Sequence, residues 1–279
     1  MNPDFIIRPL CHFDFPDVWK IARENWDGED YLPRVFHEWV EAPGLFIGVE
    51  EIHSHQIVAL AHVALLPDGS AWLEGLRVRT DYRGKGLSRT IMADQMAYAI
   101  NLMNQGIVNR IASCTYLDNK TSMHLSETTG FKLEGRYLLL TWNPKGEMEN
   151  RIDVTPWAPT WEEMQQIPYF RESNQVVVQF FLMEQFNERW WNERHKQLHF
   201  YQINGARGWI NNNIEPHCIV LDDNRDSIIS WLQYASFKLG KDATTIVLPK
   251  PSLVEDLKKT KLIAWSNWEP DCYYFVYRP

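Results

Sequence analysis

Two short apolar runs, FIIRPL at 5 to 10 and LFIGVEE at 45 to 51, read as strands, and the segments between them carry apolar residues at helical spacing. DFPDVWKIARENW and EDYLPRVFHEWVEA therefore predict two helices, in the order strand, helix, helix, strand. After a polar turn at His53 to Gln56, IVALAHVALLP and AWLEGLRVR flank the turn Asp68-Gly69-Ser70 and read as an antiparallel pair. From Leu87 the period becomes helical, with Leu87, Ile91, Met96, Ile100 and Met103 on one face and Gly106 as the C-terminal cap. RIASCTYLD follows as a strand, NKTSMHLSETTG as a short helix ending at Gly130, and FKLEGRYLLLTW as a further strand.

Residues 143–160 are polar and hold Pro144, Gly146, Pro156 and Pro159, which predicts a linker between a first domain at 1–142 and a second at 161–279. In the second half Ile228, Leu232, Ala235 and Leu239 share a helical face closed by Gly240. ATTIVLP reads as a strand, Ser252 and Glu255 as a capping box opening a short helix, and KLIAWSNWE and CYYFVYRP as strands. This order repeats the one that follows Arg83 and suggests a degenerate second copy of one half-fold.

Composition narrows the classes. At 279 residues, 45% hydrophobic and 23% charged, with no uninterrupted apolar run of about eighteen residues, the chain is expected to be globular and to make no membrane contact. MNPDFIIRPL lacks a basic start followed by a long apolar run, so a cytoplasmic location is expected. The net charge of −8 disfavours nucleic acid as a partner. Cys11, Cys114, Cys218 and Cys272 are scattered singly and read as buried free thiols. No metal is expected: His195 and His199 stand four apart on a helix and His53 and His55 flank one serine, but nothing completes either set.

The stretch that carries chemistry is TDYRGKGLS, residues 80 to 88, between a strand and a helix. Gly84 and Gly86 let the backbone approach an anion, the helix from Leu87 adds its positive end, and Arg83 and Lys85 add charge. GxxxxGK[ST] is absent, and the third glycine of GxGxxG would be Arg89, so neither a P-loop nor a dinucleotide fingerprint is present. What remains is RxxGxG/A with Ser88 in the last place.

Arg83, Gly86 and Ser88 in this setting resemble the pyrophosphate loop of the GNAT acetyltransferases, and Asn119 opening a short helix that ends at Gly130-Phe131 resembles the family's downstream segment. The resemblance covers about residues 5 to 140. It implies an α/β (α+β) fold with a mixed, mostly antiparallel sheet, followed by a second, degenerate GNAT-like domain. It also implies acetyl-CoA (coenzyme A) as co-substrate, contacted by Leu76, Arg77, Val78, Arg83, Gly84, Lys85, Gly86, Leu87, Ser88 and Asn119. The pantetheine arm would pair with the strand near Leu76 to Val78, in an opening between 71–79 and 110–118. The layout and the EGLRV and DYRGKG wording are also similar to histidine N-acetyltransferase-like proteins with a C-terminal partner domain.

The activity implied is acetyl transfer to the amine of a small molecule, an amino acid above all, by a monomer or homodimer. The alternatives are a protein N-terminal or lysine acetyltransferase and a catalytically silent acyl-CoA-binding sensor or scaffold. Attack by a neutral amine needs a proton acceptor and an N–H donor for the acyl oxygen. Glu74 is the candidate base, as alternation puts Trp72, Glu74, Leu76 and Val78 on one strand face, and the N–H near Leu76 is the candidate donor. Family members often carry a tyrosine acid in the short helix, where this chain has Ser126. Asp27, Glu29 and Asp30 of WDGEDY are available to attract an ammonium, whereas LDDNRDS before the second long helix, with Asp222, Asp223 and Asp226, would repel a pyrophosphate.

Overall fold

Residues 4–142, 152–179, 181–211, 217–240 and 242–278 are described by a computed structural model. Through its internal contacts the chain divides into two units, one of residues 1–113, 127–131 and 277–279, the other of 114–126 and 132–276. Half of the expected linker, residues 143–151, lies outside the described residues.

The first unit opens with β1 (Phe5–Pro9), α1 (Phe15–Arg23) and α2 (Leu32–Glu41), then β2 (Gly44–Glu51), β3 (Gln56–Leu65) and β4 (Ser70–Val78). It continues with α3 (Leu87–Asn104) and β5 (Arg110–Tyr116), whose last residues pass into the second unit. The four strands β1 to β4 form an antiparallel meander, and β4 then pairs in parallel with β5 over Ser70–Leu73 and Arg110–Ser113. Such a pairing requires a crossover, which α3 supplies. Both sheet faces are covered: Leu10, Val18, Phe36, Trp39 and Leu60 form one core with α1 and α2, and Ile47, Val58, Ala61, Leu87 and Ile91 the other with α3. Coverage on both sides explains why residues 57 to 63 are buried without interruption.

α3 differs from its expected face. Its buried stripe runs through Leu87, Ile91, Met92, Gln95, Met96, Ala99 and Leu102, while Ile100 and Met103 are only partly covered. Gln95 belongs to the stripe because its Nε2 donates to the carbonyl of His62 at 2.8 Å, which satisfies it inside the core. The helix ends as the sequence suggests, with Gly106 at φ +71 just beyond the capping residue Gln105.

The second unit begins with the end of β5, α4 (Lys120–Thr128) and β6 (Phe131–Trp142), the last two overlapping the unit boundary. β7 (Val154–Pro156), α5 (Trp161–Gln165), α6 (Pro168–Glu172), β8 (Val176–Gln179), β9 (Leu182–Gln185) and α7 (Glu188–Arg194) follow. Then come β10 (Phe200–Ile203), β11 (Ala206–Asn211), β12 (His217–Val220), α8 (Arg225–Leu239), β13 (Ala243–Val247), α9 (Pro251–Leu257), β14 (Ile263–Ala264) and β15 (Cys272–Tyr277). Its strand order is β15-β6-β13-β12-β11-β10-β7, and β14 also pairs with β6. The succession β10, β11, β12, α8, β13, with β12 and β13 parallel, repeats that of β2, β3, β4, α3, β5. Trp190, Trp191 and Trp209 are buried with Phe170 and Phe186, so much of the tryptophan content of this half is core.

Four expectations need correction. α9 has no capping box: Pro251, with its fixed φ, takes the first helical turn, Lys250 is the capping residue without a side-chain cap bond, and Glu255 pairs with Lys258 at 2.7 Å. KLIAWSNWE forms a strand only at Ile263–Ala264, as Asn267 and Trp268 take positive φ and break the extended run. Val154–Pro156, inside the expected linker, is a strand paired with β10. Cys11 is exposed rather than buried, while burial pushes the Cys218 thiol up to about 12.

Candidate active site

The decisive local feature is a bulge in β4. His62 pairs with Glu74 and Leu60 with Arg77, so two residues of β3 span three of β4 and the register shifts. Gly75 and Leu76 stand opposite Ala61, with Gly75 at φ +68. Only glycine fits: a Cβ there would lie 2.7 Å from the ring of Trp39. The extra residue breaks strict alternation and corrects the expected face. Glu74 and Arg77 lie on the α1 and α2 side, whereas Leu76 and Val78 pack into the core on the α3 side.

Glu74 is partly buried, and its Oε1 lies 2.9 Å from Nδ1 of His62, whose residue is 2% exposed. The His62 ring lies nearly parallel to Trp39 at 4.3 Å between centroids, with Phe46 edge-on at 5.5 Å. Beside this pair, Nε of Arg77 donates to Oδ2 of Asp30 at 2.8 Å, and the Asp30 side chain is fully buried. Asp30 is therefore consumed by an ion pair and is not the free ammonium attractor expected from WDGEDY, whereas Asp27 and Glu29 are exposed. Tyr31 completes the cluster under the Arg77 guanidinium, 5.7 Å from its ring. Burial pushes the Tyr31 hydroxyl well above the usual phenol range, with Glu74 and Asp30 adding to the rise and Arg77 opposing it. Burial works against the Arg77 charge, but the ion pair with Asp30 offsets it, and the guanidinium is held above its ordinary range.

The second feature is the loop after β4. Gly84 at φ +78 and Gly86 at φ +80 both occupy the left-handed region, and a Cβ on either would meet no protein atom within 4 Å. The space over the loop is therefore open, and what demands glycine is the backbone turn itself. Gly86 caps α3 without a side-chain bond, so the first amides of an 18-residue helix face that space with their positive dipole end. The Arg83 guanidinium bridges Oδ1 of Asn25 at 3.0 Å and the carbonyl of Val78 at 3.3 Å, and the Lys85 ammonium sits 4.2 Å over the Tyr82 ring. Leu87 is buried and anchors the turn, leaving Ser88 partly open.

The parallel register of β4 with β5 ends at Leu73 and Ser113, and β4 runs on from Glu74 to Val78 beyond it. The first unit thus carries Glu74, Leu76, Arg77, Val78 and residues 83 to 88 on one strand-loop-helix connection. Asn119 falls in the second unit, where its Oδ1 accepts from the amide of Ser122 at 3.1 Å and caps α4. Ser126 is buried in α4. His195 stacks on Trp191 at 5.0 Å with Nδ1 2.7 Å from the Trp191 carbonyl.

His62, Trp39 and the Arg77 partnership with Asp30 escape a reading of motifs. The available signal was a single histidine at the centre of the apolar run IVALAHVALL, and a lone glycine inside a strand pattern.

Residues 15–131 match the family model described as acetyltransferase (GNAT) family, and this part of the chain is a GNAT acetyltransferase domain. Over 80 residues the chain is 30% identical to histidine N-acetyltransferase of Oreochromis niloticus, a stretch covering 28% of this chain and 23% of that relative's length. The solved GCN5-related N-acetyltransferase of Sphaerobacter thermophilus shares the fold over 100% of this chain and 98% of its own, at 13% identity and a TM-score of 0.63. The GCN5-related N-acetyltransferase of Kribbella flavida does so over 97% and 70%, at 12% identity and a TM-score of 0.50. The mixed, mostly antiparallel α/β architecture is accordingly that of the GNAT fold. Acetyl-CoA is the acetyl donor that this family implies, and the open, amide-lined turn at Gly84 to Ser88 fits its pyrophosphate. Among the described residues, no helix is long and apolar enough to cross a membrane.

Proposed function

We propose that the chain transfers acetyl from acetyl-CoA to the amine of a small molecule, an amino acid in preference to a peptide. The observation that carries this reading is a carboxylate, Glu74, fixed by a buried histidine immediately before a bulged strand edge and a cofactor-type loop. Bound acetyl-CoA supplies an activated acyl carbonyl. Arg83, Lys85 and the amides from Gly84 to Ser88 hold the pyrophosphate, and the backbone of Leu76 to Val78 aligns the pantetheine arm. The amide freed at the Gly75–Leu76 bulge donates to the acyl oxygen. Glu74 takes the proton that the incoming ammonium must lose, through water, and returns it to solvent; as the N–C bond forms, the thioester C–S bond would break, its electron pair leaving on the coenzyme A thiolate, which takes up the second proton that the amine gives up. The short similarity to a histidine N-acetyltransferase supports an amino-acid acceptor.

The second unit serves as a GNAT-like partner domain at about 161–279 without a cofactor loop of its own. At the position that corresponds to the pyrophosphate turn, Asp222 pairs with Arg207 at 2.5 Å and Asp223 with Lys250 at 2.6 Å. The amide of Ser227, in the first turn of α8, is taken by the side chain of Asn224 at 3.0 Å. Carboxylates and a closed cap disfavour a second pyrophosphate there.

Thiol release from acetyl-CoA, measured across amino acids, polyamines, aminoglycosides and peptides, tests the reading. Turnover of a free amino acid above every peptide is expected. Peptides turned over fastest, or acetyl-CoA bound without transfer to any amine, would overturn it.

A further inference from the structure

His62 is an expensive residue where it stands. It occupies the middle of β3, is 2% exposed, and lies between the rings of Trp39 and Phe46. A leucine would fill such a place with apolar contacts alone, while a buried imidazole must find hydrogen-bond partners for both nitrogens to avoid a penalty. His62 finds one. Nδ1 meets Oε1 of Glu74 at 2.9 Å, and Nε2 is buried without a partner among the described residues. The backbone is fixed as well, since the His62 carbonyl accepts from Nε2 of Gln95 at 2.8 Å. The Trp39 ring that stacks on His62 also stands against Gly75, so ring, histidine and bulge are set by one another.

These contacts also select the tautomer. An ionised Glu74 carboxylate only accepts, so the bond requires the proton on Nδ1; a proton on Nε2 would be a buried donor with no acceptor. We infer that His62 is a positioning residue for acetyl transfer, a neutral imidazole that donates from Nδ1 to Oε1 of Glu74 and reserves Oε2 for the acceptor amine. This inference rests on the reading of Glu74 as the base. In the step it serves, the N–H bond of the ammonium breaks, its electron pair remains on nitrogen as the attacking lone pair, and the proton passes through water to Oε2. His62 keeps its own proton throughout, so the imidazole acts as a fixed donor and not as a relay. The other charged or titratable groups that the structure places around Glu74 are Arg77 on β4 and Asp30 and Tyr31 before α2. Arg77 is engaged by Asp30, which leaves His62 as the donor bonded to the Glu74 carboxylate.

The test compares His62→Leu, His62→Asn and Glu74→Gln with the parent for kcat against pH, KM for acetyl-CoA, and melting temperature. His62→Leu is expected to lose roughly tenfold or more in kcat. KM for acetyl-CoA should stay unchanged. His62→Asn, whose amide N–H can reach the place of Nδ1–H, should recover most of the activity. Parental kcat in His62→Leu, or an Asn variant as impaired as the Leu variant, would overturn the inference. Full activity in Glu74→Gln would instead bring down the base assignment itself, so the two failures are distinguishable. Should the Leu variant not fold, nitrogen-15 spectra of the parent decide: a protonated Nδ1 and an unprotonated Nε2 are expected, and the reverse tautomer is disqualifying.

Discussion

Asp30 and Arg77, 47 residues apart in sequence, meet at 2.8 Å with the Asp30 carboxylate fully buried. The β4 bulge creates this contact by turning Arg77 onto the face of Glu74, away from the core beneath α3. Removing one partner strands a buried charge, so Arg77→Met should lower unfolding free energy by about 3 kcal/mol in urea titrations. The double variant Asp30→Asn, Arg77→Met should recover much of that loss, since no charge is left unpaired. Equal instability of the single and double variants would show that Arg77 contributes mainly through packing.

Gly86 offers a cleaner probe of the cofactor turn. At φ +80 an aspartate or asparagine is the side chain best able to follow the backbone, and no protein atom blocks it. Gly86→Asp should therefore cost only about 1 kcal/mol of stability for its left-handed backbone yet, still folded, bind acetyl-CoA at least about a hundredfold more weakly, because a carboxylate then faces the pyrophosphate. Gly86→Asn should lose less. Calorimetry of the parent should give one acetyl-CoA per chain, and two sites would contradict the assignment of Asp222 and Asp223.

In the second unit, Asp271 is completely buried, its Oδ1 accepting from the amide of Leu139 at 2.9 Å while Oδ2 has no partner among the described residues. Burial raises its carboxyl to about 6. The folded state therefore holds this proton more tightly than the unfolded chain, and the stability it contributes is complete below about pH 4 and lost as pH rises through 6. Asp271→Asn keeps the acceptor for Leu139 without the ionisation. Relative to the parent it should gain on the order of 2 kcal/mol between pH 4 and pH 7 in denaturant titrations. A difference independent of pH would show that Asp271 stays ionised throughout.

What the sequence discloses and what it hides divide along physical lines. The strand and helix of TDYRGKGLS and its flanks are legible because the signals are local: a period change at Leu87, glycines at the turn, and a cap at Gly106. Glu74 is legible as a lone carboxylate in an apolar strand. The bulge is not, because alternation assumes one residue per register step, and whether Gly75 adds an extra one depends on how β3 and Trp39 pack against it. Asp30 misleads for the same reason: in WDGEDY it looks like its exposed neighbours Asp27 and Glu29, and only the contact with Arg77 distinguishes it. Near the end of the chain, the strand expected at KLIAWSNWE is cut short by two positive-φ residues that apolar patterning does not register.

In the proposed reaction Glu74 removes the proton from the acceptor amine during acetyl transfer from acetyl-CoA. Turnover of Glu74→Gln against pH, with the best amine found and with acetyl-CoA affinity measured in parallel, tests it most directly. Near-parental affinity is expected, with kcat reduced roughly 100-fold or more near neutral pH. The deficit should shrink at high pH, where the amine arrives already neutral. Parental turnover of the Gln variant at pH 7 would contradict this role and leave Glu74 a structural partner of His62.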